Sequence, residues 1–198
     1  MTYRAELMAL IQEKASRGGF SPLDAIQQDA LMRISVNSGS EPAEKVDTDI
    51  IPPRCDVWAA PFGMIMLHEV EADCEADFNR HVLAAESYLD LLLLGEEMPG
   101  KVMDGYLILD LTRTAGELRA LVTSTEQNTR LVRKHCVWHG SEGWQRVDRI
   151  SVLALTDDAA YTDAELPPGL DEEGRALIEA LEEMTARKLA TLHASEWE

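Results

Sequence analysis

Positive charge is what this chain has least of. Its 198 residues carry 36 acidic side chains against 18 basic ones, a formal net charge of −18. A surface of that sign repels phosphate, so docking of the whole molecule on nucleic acid is excluded, because such docking needs a cationic footprint. Aromatics are also scarce, at 6%, so the core must rest on Leu, Val, Ile, Ala and Met. There are three cysteines, Cys55, Cys74 and Cys136, and none forms a CxxC pair. An odd count without paired spacing excludes a disulfide scaffold and fits a reducing compartment. Long apolar runs are missing too. Runs such as Leu91 to Leu94 are far too short to cross a bilayer. The first fifteen residues, MTYRAELMALIQEKA, lack the apolar stretch and cleavage site of a signal peptide. A cytoplasmic protein with no membrane segment is expected.

Catalytic motifs are likewise lacking. There is no GxSxG, and no P-loop lysine follows Gly18-Gly19, so neither a nucleophile elbow nor a phosphate cradle is encoded. His68, Cys74 and His81 lie in one neighbourhood, and Cys136 and His139 form a C-x2-H pair. Zinc requires its ligands to converge in a tetrahedron. Cys74 and His81, seven residues apart, stand two turns distant on a helix. No metal or cofactor is expected. Cys74 and Cys136 read as small core residues, and the histidines as surface or capping groups. Asp104 and Asp110 flank an apolar strand, and a metal-dependent nuclease using them is the alternative enzymatic reading. An acid in Asp110's position more commonly bonds a neighbouring turn.

What is present is a core pattern. Apolar residues make up 45%, the globular average. Residues 3–15 have helical spacing, ended by Gly18-Gly19. Ser21-Pro22 reads as the cap of a second helix that buries Leu23, Ile26, Ala30, Leu31 and Ile34. Residues 36–54, rich in Ser, Gly, Pro and acids, read as a loop with a mobile portion. Strands are expected near 62–67, 105–111, 131–138 and 144–155. The long helix Asp73–Leu94 places Cys74, Phe78, His81, Val82, Ala85, Leu89 and Leu92 on one stripe. GYLILDL, residues 105–111, reads as a central strand buried on both faces. Thr114 caps a further helix. An acidic helix over 171–194 buries Leu177, Ile178, Leu181, Met184 and Leu192. The whole is one α+β domain, residues 1–198, with a small central sheet packed by helices and helical segments at both ends.

The charge is not evenly spread. Residues 41–97 hold 14 acids and 3 bases, residues 156–198 hold 12 and 3, and residues 101–150 hold 6 and 8. Within that basic island lies EQNTRLVRKHCVW, residues 126–138. On a strand, Arg133, His135 and Val137 share one face, and Val132, Lys134, Cys136 and Trp138 the other. One of the two adjacent cations therefore pairs inside the chain, and the other is left to face a partner. Arg130, Arg133, Lys134, Arg146 and Arg149 are the candidate partner-binding residues. Two uses are open to them: pairing with the acidic helices of the same chain, or contact with an acidic partner or a nucleic-acid backbone.

The order of a long helix, Tyr106-Leu107-Ile108 in an apolar strand, Glu126-Gln127-Asn128, and then the Arg133-Lys134 strand resembles the small middle components of three-component bacterial anti-phage systems. These systems are built around an SMC-like or ABC-type ATPase, and Lamassu is the best-known case. The resemblance covers residues 78–138. Asp104-Gly105 stands where that family has a Trp-Asn pair. The resemblance implies a non-catalytic adaptor that binds the ATPase and helps hold an effector nuclease silent, with direct nucleic-acid contact secondary.

Overall fold

The computed structural model describes residues 3–38, 55–154, 172–184 and 188. Its architecture is α+β, as the sequence predicts. The six strands are β1 (Ser21–Leu23), β2 (Cys55–Ala60), β3 (Gly63–Glu69), β4 (Asp104–Asp110), β5 (Arg133–Gly140) and β6 (Gly143–Gln145). They lie side by side in sequence order. β3, β4 and β5 run parallel, and the outer pairings are antiparallel.

Two parallel steps require two crossovers. The first is α3 (Glu75–Glu96); the second is a 3-10 turn (Gly116–Leu121) running into α4 (Val122–Gln127). Both crossovers cover one face of the sheet. That face packs Val57, Met64, Met66, Leu107, Leu109, Val132 and Cys136 against Phe78, Ala85, Leu89, Leu92, Leu118 and Val122. The opposite face sets Trp58, Ile65, Leu67, Tyr106, Ile108 and Val137 against Leu7, Ile11 and Ala15 of α1 (Tyr3–Arg17) and against Val147, Ile150 and Leu153. Successive strand residues alternate between these two cores, as a two-residue period demands. β4, central and covered twice, is buried from Gly105 to Asp110. α2 (Ala25–Ser38) lies against α3 so closely that a Cβ on Gly95 would stand 2.5 Å from the Leu31 carbonyl oxygen.

Several expectations need correction. Ser21 caps nothing; it opens β1, and the cap of α2 is Asp24. The Gln27 amide donates to Asp24 Oδ1 (2.8 Å), and the Asp24 amide to Gln27 Oε1 (2.9 Å), a reciprocal capping box. Ile26 and Ile34 are not buried; they are 81% and 52% exposed, and Ala30 is exposed as well. Thr114 caps no helix. It is buried and donates to the Val70 carbonyl across the first crossover (2.9 Å).

β2 is a strand that the sequence reading missed, because Pro61 sits in a tight turn between paired Ala60 and Gly63 rather than at a strand start. The long strand expected over 144–155 stops at Gln145. Arg146 takes left-handed backbone (φ 68°), and 3-10 turns follow. Val147, Ile150 and Leu153 recur every third residue, which is the period of that helix. At the far end, α5 (Glu172–Glu183) exposes Leu177. The loop expected over 36–54 begins later than the sequence suggests, since α2 runs through Ser38; its remainder, 39–54, and the end of the expected C-terminal helix, including Leu192, lie outside the described residues.

Candidate functional site

The basic island does not form one site. Lys134 leaves β5 into the core and is almost wholly buried. Its ammonium donates to Glu86 Oε1 of α3 (2.6 Å), to the Asn128 carbonyl (2.6 Å) and to the Val132 carbonyl (3.4 Å). All three ammonium protons are used, so Lys134, expected as a contact residue, is instead a core residue that does not reach a partner.

Arg146 is also committed. β6 covers β5 only at Trp138, His139 and Gly140, which leaves the outer edge of β5 open at Cys136. There Glu126 accepts the Cys136 amide (2.9 Å), Arg146 Nε donates to the Cys136 carbonyl (3.1 Å), and the two side chains pair with each other. They stand in for the missing strand and close an edge that would otherwise invite another chain. The Arg146 and Arg119 guanidiniums lie 5.6 and 5.0 Å from the Trp138 ring centre.

Arg133 points the other way. It is 57% exposed, 5.7 Å from the Tyr106 ring centre and 3.9 Å from Asp104. Arg130 and Arg149 are exposed and form no ion pair among the described residues. The choice between the two adjacent cations is therefore settled: Lys134 is structural and Arg133 faces out. Arg130 and Arg133 stand at the amino end of β5. The same sheet edge carries Met98 (55% exposed), Val102 (68%) and Leu131 (45%).

Asp104 and Asp110 do not converge. They occupy opposite ends of β4, six residues or about 20 Å apart. Asp110 is buried and accepts the Thr112 amide (2.9 Å) and hydroxyl (2.6 Å), and the Thr112 hydroxyl oxygen in turn accepts the His139 amide (3.0 Å). It joins the ends of β4 and β5. Asp104 is exposed and accepts the Tyr106 hydroxyl (3.2 Å).

The carboxyl edge of parallel strands is where open α/β sheets usually bind ligands. Here it is filled by an internal ion network. Arg4 pairs with Asp56 (2.5 Å) and Glu69 (3.5 Å), and Arg113 pairs with Glu69 (2.9 Å) and Glu71 (3.7 Å).

The cysteines remain thiols: Cys74 is exposed, contrary to expectation, and Cys136 is buried. Burial pushes Cys136 up to about 12 and Cys55, with Asp56 beside it, up to about 11, so neither is an activated nucleophile. Among the described residues no group of three or more His, Cys, Asp or Glu side chains is arranged to hold a metal. His68, expected at the surface, is instead buried in β3, where its Nε2 meets His81 Nδ1 of α3 at 3.3 Å. No described helix is long and apolar enough to cross a membrane. The chain matches no protein-family model, no curated protein and no solved structure.

Proposed function

We propose that the chain is a non-catalytic adaptor subunit, binding an SMC-like ATPase and an effector nuclease in a cytoplasmic anti-phage defence complex. The observation that carries this reading is the amino edge of the parallel strands. Met98, Val102 and Leu131 are exposed there beside Arg130 and Arg133. Exposed apolar side chains gathered at one edge mark an interaction surface, and Met and Arg are enriched in interface centres. The cations select an acidic segment of the partner. Direct contact with nucleic acid is secondary, since the net charge of −18 opposes it. The choice of an ATPase and nuclease rests on the resemblance across residues 78–138.

Co-expression with an SMC-like ATPase from a neighbouring gene is the test. The expected result is a stoichiometric complex that Val102→Asp with Leu131→Asp disrupts. Failure of the unaltered chain to bind that ATPase would sink the proposal.

A further inference from the structure

α2 carries two stripes of side chains, and the fold uses one of them. Gln28, Leu31 and Met32 turn inward. Leu31 and Met32 pack into the core on the α3 side of the sheet. Gln28 donates to the Leu23 carbonyl (2.9 Å) and accepts the Tyr88 hydroxyl (3.1 Å). The second stripe is Ile26, Ala30 and Ile34, spaced four residues apart and therefore on one side of the helix. It turns outward: Ile26 is 81% and Ile34 52% exposed, and Ala30 is exposed between them. A small residue between two branched ones makes a notch with a knob at either end.

That pattern is its own complement. When two α2 helices pack antiparallel with their Ala30 residues at the centre, a position n residues after Ala30 stands level with the position n residues before it on the other copy. Ile26 of each copy then lies beside Ile34 of the other, and the two alanines let the backbones approach. This is an isologous arrangement, in which each contact occurs twice about a two-fold axis.

Charge fits the same pairing. Two chains of net charge −18 repel over most of their surface. α3 and α5 each carry five acids and one base, whereas α2 carries one of each, Asp29 and Arg33. These two pair within the helix (2.8 Å) and are exposed along one flank of the stripe. The antiparallel crossing lays that flank against its own copy and brings each Arg33 within reach of the other copy's Asp29.

We propose that the outer face of α2 is a homodimer interface, in which two copies of the chain pack antiparallel through Ile26, Ala30 and Ile34 with Arg33–Asp29 pairs at the rim. One face of a 14-residue helix is a small contact, at the low end of the specific range. The dimer is therefore weak and reversible, and it fills as concentration rises.

The test is sedimentation equilibrium of the purified full chain, from about 1 µM to about 1 mM, at about 0.15 M salt so that the net repulsion is screened. The mass should rise from one chain toward two and stop there, because an isologous contact closes. Ile26→Asp places a carboxylate in the first turn of α2, where the helix tolerates it. It should weaken association at least about tenfold by burying an unpaired charge and leave thermal unfolding of the dilute chain unchanged. A charge exchange tests the geometry. Asp29→Arg chains carry two cations on the rim and Arg33→Asp chains two anions. Each alone should associate more weakly than the unaltered chain, and an equal mixture should regain the dimer. A one-chain mass throughout the range, or a mixture that associates no better than its components, would overturn the proposal. So would association that Val102→Asp with Leu131→Asp removes and Ile26→Asp spares, which would assign it to the amino edge. The measurement uses this chain alone, so no outcome depends on the adaptor reading.

Discussion

The two ends of the parallel strands handle charge in opposite ways. At the carboxyl end, Arg4 and Arg113 are both taken up by Asp56, Glu69 and Glu71, and Asp110 accepts two hydrogen bonds from Thr112. At the amino end, Arg130 forms no ion pair among the described residues, and the ion pairing of Arg133 is limited to the 3.9 Å approach of Asp104. Exposed Met98, Val102 and Leu131 share that end. The end that hosts ligands in many α/β sheets is here self-satisfied, and the other end is left unneutralised. In a strongly acidic chain the informative cations are those the chain does not itself consume. Lys134 and Arg133, adjacent in sequence, fall on the two sides of that division.

The largest effect is expected where the contrast is strongest, at Lys134. Lys134→Ala leaves Glu86 buried without its counter-charge, which costs about 3–5 kcal/mol. It also strands the Asn128 carbonyl. Chemical denaturation should show this loss in full. Replacing both partners with apolar residues, Lys134→Met with Glu86→Leu, should recover most of it, because two desolvated charges are removed together. If the double variant is no more stable than Lys134→Ala, the pair is not the unit described here.

Arg146→Ala should cost less, about 1–3 kcal/mol. The Cys136 carbonyl loses its side-chain donor and Glu126 loses its counter-charge, keeping only the Cys136 amide. The open edge of β5 should also raise the tendency to self-associate, which light scattering on concentrated protein would detect. A stable, monodisperse Arg146→Ala protein would mean that β6 alone closes that edge.

His135, on the other face of β5 from Lys134, gives a pH signature. Burial lowers its pKa from 6.5; Glu126 opposes the shift, and Arg133 and Arg146 assist it. A histidine that is harder to protonate in the fold binds fewer protons there than in the unfolded chain. Its neutral form is therefore fully accommodated above the ordinary histidine range, and stability falls as pH drops below 6.5. His135→Gln should flatten the stability curve between pH 7 and 5 relative to the unaltered chain. An unchanged slope would assign the acid sensitivity to other groups.

The sequence made some of this legible. GYLILDL reads as a doubly covered strand because an unbroken apolar run leaves no solvent face, and β4 is one. The alternation along RLVRKHCVW placed Lys134 and Arg133 on opposite faces correctly. What it could not reveal was which face was the interior, because Glu86 lies 48 residues away and only the β3–α3–β4 crossover brings it near. The His68–His81 contact was hidden in the same way: spacing along α3 separates Cys74 from His81, yet His68 reaches His81 from the sheet. Val147, Ile150 and Leu153 were legible in principle. Their three-residue period passes for part of a strand because short 3-10 turns leave so few repeats.

The smallest expected effect on stability is at the amino edge, and it bears most directly on function. Arg133→Ala, Val102→Asp and Leu131→Asp alter exposed side chains, and each should change stability by no more than about 0.5 kcal/mol. The Arg133–Asp104 approach is long and solvated, and an exposed pair of that kind contributes little. At an interface the same side chains behave differently. Truncating a desolvated arginine anchor costs about 2 kcal/mol or more of binding, roughly a thirtyfold loss of affinity. An aspartate in place of Val102 or Leu131 adds a buried unpaired charge to that loss. The diagnostic result is a variant with unaltered denaturation and impaired ATPase capture. Equal losses in both measurements would make the edge part of the fold. Losses in neither would move the docking surface elsewhere, and the exposed, acidic-chain cation Arg149 would be the next residue to change.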